Sequence, residues 1–202
     1  MVYDFDVHHG NGTQDIFYND PSVLFISSRQ NGIYPGADHK TTRLKLFGLG
    51  TGRMTEVGSG NGEGTNINIP LPAGSGEIAA LSTFEQIVGP AAEKFKPDMI
   101  VVSAGYDAHF LDPLASLQFA SSTYHVLCQN LRQLADRLCH GRLVLLLEGG
   151  YRLQALGDSV TDSFLGLMNH PSIDKCDRKS LQDEPSENIK DLLKEVSAIH
   201  CI

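Results

Sequence analysis

The stretch 98-DMIVVSAGYDAH-109 begins as an uninterrupted apolar run and ends in tyrosine, aspartate and histidine. A second apolar run, 142-RLVLLL-147, is followed at once by 148-EGGY-151. Aliphatic runs without polar alternation are typical of strands that are buried on both faces. Because such strands alternate here with helical patterns, the sequence predicts an α/β layered fold with a parallel sheet.

The remaining elements are predicted from hydrophobic periodicity and turn residues. The predicted strands are Tyr3–Val7, Val23–Ser27, Asn66–Leu71, Asp98–Ser103 and Arg142–Leu147. The predicted helices are Gly76–Phe95, Ser121–Leu138, Leu153–Met168 and Asn188–Ile199, with a polar loop at Asn169–Glu187. Three of the strands end in the motifs DFDVHHG, SAGYDAH and LEGGY. Sites in parallel α/β sheets form beyond the carboxyl ends of strands, so these motifs predict one shared site.

Composition limits the class of protein. At 202 residues the chain fits one sizeable domain, and its formal net charge of −8 argues against a nucleic-acid-binding surface. The same charge favours a basic substrate, such as a lysine-bearing peptide or a polyamine. The four cysteines form no C-x-x-C pair, which favours free thiols in a reducing compartment over a zinc knuckle or disulfides. No apolar run is long enough to predict a membrane span.

The DFDVHH motif has the residue types of a metal site. Side chains alternate along a strand, so Asp4, Asp6 and His8 are expected on one face. Two carboxylates and an imidazole are costly to bury without a cation, and such a donor set suits Zn²⁺. The alternative is a solvated edge strand. The residues His9 to Gly12 are expected to form the following loop.

The other two motifs are weaker taken alone. In SAGYDAHFLDPL, Asp107 follows a strand, where it is either a third metal ligand or a helix cap. Asp112 and His109 are further candidates, but Asp112 precedes proline and could equally be a turn residue. In LEGGY, two glycines let the backbone bend sharply and present Tyr151, which either stabilises an oxyanion or only packs in a turn. The glycine-rich stretch GLGTGRMTEVGSGNGEGTN lacks the end of a phosphate-binding loop and is expected to be a flexible surface loop.

The motifs DFDVHHGNGT, SAGYDAH followed by DPL, and LEGGY, in this order and spacing, resemble the zinc-dependent histone deacetylase family, which includes acetylpolyamine amidohydrolases. HHGNGT and SAGYDAH look like its class II branch, and GSGNGEGTNINIPLPAGSGE is similar to a plant subgroup of that branch. The resemblance covers essentially the whole chain. It implies a three-layer fold of the arginase/deacetylase type with a central parallel sheet.

The resemblance also implies a mechanism of amide hydrolysis. Asp6, His8 and Asp107 would be the Zn²⁺ ligands, and Tyr151 would be the catalytic residue that stabilises the oxyanion. The other implied roles fall into three sets. Asp4 and Asn11 would orient the family's histidine pair. A structural potassium site would involve the backbone carbonyls of Asp4, Asp6 and His8, with Ser27 and Ser28. Tyr34 and Leu114 would line the channel for an acyl-lysine side chain.

One part of the family pattern is not found. The proton-handling histidine pair of the family lies upstream of DFDVHH, where this chain has three residues, and His8 and His9 do not replace it. We therefore expect residues 1–202 to be the C-terminal part of a single deacetylase domain, truncated at the N-terminus, with the first strands missing. About 1–170 would be the rest of the catalytic core, and 171–202 a loop and terminal helix.

Three functions follow from the resemblance. The first is a deacetylase of acetylated lysine in histone tails or other proteins. The second is a zinc-binding module without turnover, and the third is an acetylpolyamine or other small-amide deacetylase. The expected cofactors are Zn²⁺ and K⁺. We expect no direct nucleic-acid binding, no membrane association and an intracellular location, in nucleus, cytoplasm, plastid or mitochondrion; the sequence makes no prediction of oligomeric state.

Overall fold

A five-stranded parallel sheet forms the centre of the computed structural model, which describes residues 1–34 and 51–202. The strand order is β3-β2-β1-β4-β5, so the first strand of the chain lies in the middle. The strands are β1 (Val2–Asp4), β2 (Phe25–Gln30), β3 (Asn66–Leu71), β4 (Ile100–Ala104) and β5 (Leu143–Leu147). The predicted α/β fold with a parallel sheet is confirmed.

Helices connect and cover the strands. They are α1 (Asn11–Phe17), α2 (Glu77–Thr83), α3 (Gly89–Phe95), α4 (Ser121–Cys139), α5 (Leu153–Leu167) and α6 (Ser186–His200). A π-helical turn, Phe84–Val88, joins α2 to α3 where one helix was predicted. The Gly89 N–H donates to the Phe84 carbonyl and Pro90 has no N–H, which explains the wider turn. Among the described residues, no helix is both long and apolar enough to cross a membrane.

Two boundaries near the first motif differ from prediction. Strand β1 ends at Asp4. The Phe5 N–H still donates to the Ser103 carbonyl of β4 (3.2 Å), but amides beyond it bond to side chains: Asp6 N–H to Asp4 Oδ1 (3.0 Å) and His8 N–H to Asp6 Oδ1 (2.7 Å). These bonds replace the strand ladder. Helix α1 begins at Asn11, where a loop was expected. Its seven residues carry too little hydrophobic periodicity for the helix to be predicted from sequence.

The described part of the glycine-rich stretch packs against its neighbours rather than forming a flexible surface loop. The Glu56 carboxylate accepts hydrogen bonds from Gly52 N–H and Gln14 Nε2, both at 2.7 Å. Gln14 in turn accepts from Asn68 Nδ2 at 2.8 Å, which connects the stretch to α1 and β3. Residues 48–50 of the stretch lie outside the described residues.

Part of the hydrophobic core packs next to the strand ends that carry the motifs. Phe5, Tyr106 and Tyr124 are buried and form one aromatic cluster, with ring centroids 4.8–6.0 Å apart. Beyond the motifs, α6 contacts β3 through a face that buries Ile189 and Leu193. The segment before α6 follows the predicted loop, with one short 3₁₀ turn at Arg178–Ser180.

Helices α4 and α5 are in close contact, so substitution of one glycine between them is expected to have a large effect on stability. A Cβ at Gly166 would overlap the His125 carbonyl of α4, whereas a Cβ at Gly157, on the same helix, would meet nothing within 4 Å. We expect Gly166→Ala to lower the free energy of unfolding by about 1–3 kcal/mol, because the helices must separate. Gly157→Ala should raise it by roughly 0.5–1 kcal/mol through helix propensity. Urea denaturation of both variants measures this; equal effects would contradict the packing argument.

Candidate functional site

Three charged side chains meet where β1 and β4 end. Asp6 and His8 follow β1, Asp107 follows β4, and the two strands pair in register. One ligand-type atom from each residue lies within 4.8 Å of the others. His8 Nδ1 is 3.1 Å from both Asp6 Oδ1 and Asp107 Oδ2. The structure therefore brings together the three residues that the sequence predicted as metal ligands.

Electrostatics ties these three groups to one another. Contacts with the carboxylates of Asp107 and then Asp6 raise the pKa of His8 to about 10, although burial opposes this. His8 is therefore an imidazolium between two carboxylates when no metal is bound. The Asp107 Oδ2 atom is buried and makes no directed hydrogen bond within the part of the chain that the structure describes, so its contact with His8 is an attraction of charges. A divalent cation would satisfy that oxygen and take the place of the proton, so the donor set fits Zn²⁺.

Two glycines of the motifs make room for the carboxylates. A Cβ at Gly105 would overlap the Asp6 carboxylate, and a Cβ at Gly149 would overlap the Asp107 carboxylate. Both positions therefore need glycine for space, and Gly149 has an ordinary backbone φ. Sequence reasoning assigned the Gly-Gly pair only to a sharp bend. The signal that it missed is that SAGYD and LEGGY each place a glycine beside a strand end.

Asp4 and Ser27, two residues of the predicted potassium site, occupy paired positions on β1 and β2. Asp4 is buried, and burial, with the Asp6 charge second, raises its pKa well above the usual range. The Ser27 hydroxyl is buried without a hydrogen-bond partner in the described part of the chain, so it has an unsatisfied oxygen for a cation. The Ser28 hydroxyl instead contacts the Tyr3 hydroxyl at 3.0 Å. The two serines therefore differ: the Ser28 hydroxyl has a partner, and the Ser27 hydroxyl has none among the described residues.

Asn11 is a predicted site residue whose side chain the structure does not bring into hydrogen-bonding contact with the charged groups of the site. It begins α1, and its N–H donates to the His9 carbonyl at 2.8 Å. Within the ranges that the structure describes, its side chain makes no hydrogen bond to the carboxylates or imidazoles of the site.

An open cavity of about 560 Å³ is lined by Asp6 and His8, two members of the metal group that Asp6, His8 and Asp107 form; the buried Asp107 does not line it. Tyr34, Leu114 and Tyr151 line it, and each is more than half exposed. The Tyr34 ring meets the His8 imidazole edge-on, with centroids 6.2 Å apart. The predicted channel residues and the predicted catalytic tyrosine thus share one cavity.

Burial, with the nearby Asp107, Asp6 and Asp112 carboxylates, raises the pKa of Tyr151. Its hydroxyl therefore keeps its proton at neutral pH and can donate a hydrogen bond. Sequence reasoning missed another member of the cavity wall: Glu148 accepts a 2.8 Å hydrogen bond from the Ser103 hydroxyl. Its position at the end of β5, beside the site, is the signal that could have found it.

The other candidates of the sequence lie outside the metal group. His109 Nδ1 accepts from Leu111 N–H at 3.2 Å, and Asp112 accepts from two backbone amides. His9 is buried, neither ring nitrogen has a hydrogen-bond partner among residues 1–34 and 51–202, and burial lowers its pKa to about 3. Along the described cavity wall the histidines are His8 and His9, so a pair of accessible, basic imidazoles is not found there.

The pKa of His8 predicts how pH affects the metal-free chain. A folded-state pKa of about 10, above the ordinary 6.5, stabilises the fold fully below pH 6.5, and this contribution is lost as pH rises through 10. We expect the melting temperature of the zinc-free chain to fall more between pH 6.5 and pH 10 than that of His8→Gln. Parallel melting curves of the two proteins would contradict the raised pKa.

Comparison with known proteins supports the same family. Residues 1–167 match the model of the histone deacetylase domain. The chain is 47% identical to "Histone deacetylase 14, chloroplastic" of Arabidopsis thaliana and 46% identical to "Histone deacetylase 10, chloroplastic" of Oryza sativa subsp. japonica, over 204 residues each. Both alignments cover 100% of this chain but 45% and 43% of those relatives, so it spans less than half of their length.

A solved structure shows the same fold. The crystal structure of the HDA15 HD domain superposes with a TM-score of 0.78 at 32% identity. The match covers 98% of this chain and 49% of that one.

Proposed function

Because the chain belongs to the histone deacetylase family, we propose that residues 1–202 carry the zinc-binding part of a site that hydrolyses the acetyl amide of acetylated lysine. The observation that carries this proposal is the group of Asp6, His8 and Asp107, of which Asp6 and His8 line the same cavity as Tyr151. Three protein ligands leave a fourth position for water or substrate, as in catalytic zinc sites.

In this proposal Asp6, His8 and Asp107 would hold Zn²⁺, which when bound supplies a Lewis acid that polarises the amide carbonyl and activates water. The Tyr151 hydroxyl donates to the carbonyl oxygen as negative charge develops there. Its raised pKa supports this role, since a tyrosinate could not donate. Asp4 and Ser27 would contribute to a structural potassium site behind the ligands, which the unpartnered Ser27 hydroxyl supports.

The cavity and the charge of the chain favour a lysine-bearing peptide. Tyr34 and Leu114 offer apolar surface for the aliphatic part of an acyl-lysine, and the neutral acetamide would reach the metal group. The formal net charge of −8 would attract a basic peptide such as a histone tail. The named relatives are called histone deacetylases, which agrees with this substrate class.

A second function is favoured by one observation. His8 would be a ligand, and burial lowers the pKa of His9 to about 3, so neither histidine of the described cavity wall is suited to act as general base. Residues 1–202 by themselves would then bind zinc and acetyl-lysine without turnover. In the deacetylase, the acid and base would come from a part of the protein beyond these residues.

Zinc content and turnover separate the two functions. The chain, loaded with zinc and dialysed, is expected to retain one zinc per molecule. We then measure hydrolysis of an acetyl-lysine histone peptide, and binding of the same peptide against its unacetylated form. Turnover supports the deacetylase, whereas zinc with acetyl-selective binding and no turnover supports the binding module. A chain that retains no zinc contradicts both. Acetylputrescine, as a third substrate, tests the small-amide alternative.

Location follows from the same relatives. Two of the plant proteins that match the whole chain are named chloroplastic, which favours a plastid over the nucleus or cytoplasm. We propose a plastid location for the protein that contains residues 1–202. Fractionation of plant cells with an antibody against the segment 171–202 tests this, and a signal confined to nuclei would contradict it.

A further inference from the structure

The carboxylate of Asp112 joins the two loops that carry cavity residues. Asp112 is 6% exposed, and its Oδ1 accepts a hydrogen bond from Leu114 N–H at 3.0 Å. Its Oδ2 accepts from Tyr151 N–H at 2.7 Å, across 39 positions of sequence. One buried carboxylate therefore accepts hydrogen bonds from the backbone of the predicted channel residue Leu114 and from the backbone of the candidate catalytic residue Tyr151.

The hydrogen bond from Asp112 is important for the backbone position of Tyr151, because few other contacts within the described ranges restrain this residue. The Tyr151 side chain is 56% exposed, so packing restrains it little. The preceding Gly150 has a φ of +131°, a backbone conformation open mainly to glycine. The loop before it is held by Tyr106 N–H to the Gly149 carbonyl, and α5 begins with Leu156 N–H to the Arg152 carbonyl. Between these two bonds, the amide of Tyr151 is anchored by Asp112.

From this geometry we infer that Asp112 is a positioning residue, which holds the Tyr151 hydroxyl at the place where the oxyanion forms. A charged acceptor gives a shorter and stronger hydrogen bond than a neutral one, and the 2.7 Å distance to Tyr151 N agrees. The inference rests on the proposed function of Tyr151. From the sequence alone, Asp112 could be a metal ligand or a turn residue. As a positioning residue it has neither of these roles.

The chain contains a matched control. Asp174 Oδ1 accepts from Cys176 N–H two residues ahead, at 2.8 Å, and its Oδ2 accepts from the distant Ser122 N–H at 2.9 Å. This repeats the arrangement at Asp112, but Asp174 does not line the cavity that leads to the metal group. Asn at either position keeps one acceptor oxygen and presents an N–H₂ group to the other amide.

The test is a double-mutant cycle with Tyr151→Phe in the zinc-loaded deacetylase. In the presence of Tyr151 we expect Asp112→Asn to lower kcat about 10- to 100-fold, because a small misplacement of a catalytic group is costly. In the Tyr151→Phe background, which has no hydroxyl to position, the same change should lower kcat less than about 2-fold. Asp174→Asn should leave kcat within about 2-fold in both backgrounds. Equal losses from Asp112→Asn in both backgrounds would overturn the inference.

A second readout does not need turnover. Amide hydrogen exchange of residues 1–202, followed by NMR, should accelerate at Tyr151 or Leu114 in Asp112→Asn, and at Ser122 or Cys176 in Asp174→Asn. If the wild type shows no turnover, the proposed function fails for these residues while this readout still tests the anchor. Unchanged exchange at both Tyr151 and Leu114 in Asp112→Asn would overturn the positioning role.

Discussion

Asp107→Asn is expected to abolish stoichiometric zinc binding while leaving the chain folded. The Asp107 Oδ1 atom accepts the Val7 N–H at 3.0 Å, and the asparagine oxygen can keep this bond. The buried Oδ2, which faces His8, would be replaced by an N–H₂ group that cannot bind a metal. Loss of a residue that only supports a ligand costs about 10- to 100-fold in metal affinity, so loss of a ligand should cost more than ~100-fold. Zinc content after dialysis measures this.

Asp162→Asn is the control for this variant. Asp162 is fully buried, like Asp107, and it also accepts a backbone amide, from Ile173 N–H at 2.9 Å. It lies on α5 and does not line the cavity that leads to the metal group. We expect Asp162→Asn to lower stability but to retain one zinc per chain. If Asp107→Asn also retained one zinc, Asp107 would not be a ligand, and a different donor set would have to be sought.

The residues of the metal group could be predicted because their signal is local. Asp6 and His8 alternate on one face after a strand, and Asp107 follows an apolar strand that is easily recognised. That β1 and β4 are neighbours is not local, since paired residues such as Val2 and Val101 are far apart in sequence. The family resemblance supplied the assignment of Asp107 as a ligand beside Asp6 and His8. The exact end of β1 was missed because side-chain oxygens, which strand patterns ignore, accept the backbone hydrogen bonds of Asp6 and His8.

The supporting residues were harder to predict because their roles arise from tertiary contacts. Nothing in the sequence near Asp112 shows that its carboxylate reaches Tyr151, and a residue before proline is read first as part of a turn. The space requirement at Gly105 and Gly149 appears only when the two loops meet around the carboxylates. Glu148 belongs to the LEGGY motif, but its place on the cavity wall depends on the position of β5 at the edge of the sheet.

Tyr151→Phe is expected to retain zinc and to lose turnover, in the zinc-loaded deacetylase that contains residues 1–202. The ring lines the cavity, and removing the hydroxyl takes away one donor to the developing oxyanion, which costs about 10²–10³ in kcat. KM should change little, because the hydrogen bond strengthens mainly in the transition state. Steady-state kinetics with an acetyl-lysine peptide, beside zinc analysis, measures both quantities.

The comparison with Tyr18→Phe tests whether the loss belongs to the hydroxyl at this site. Tyr18 also has a raised pKa, caused mainly by burial, but it lies directly after α1 and does not line the cavity. We expect Tyr18→Phe to keep kcat within about 2-fold, as substitutions outside the site generally do. If Tyr151→Phe kept full turnover, the oxyanion would be stabilised by another donor. Because Asp112 is inferred to act through Tyr151, that result would also remove the reason for its effect on kcat, while its effect on amide exchange would stand.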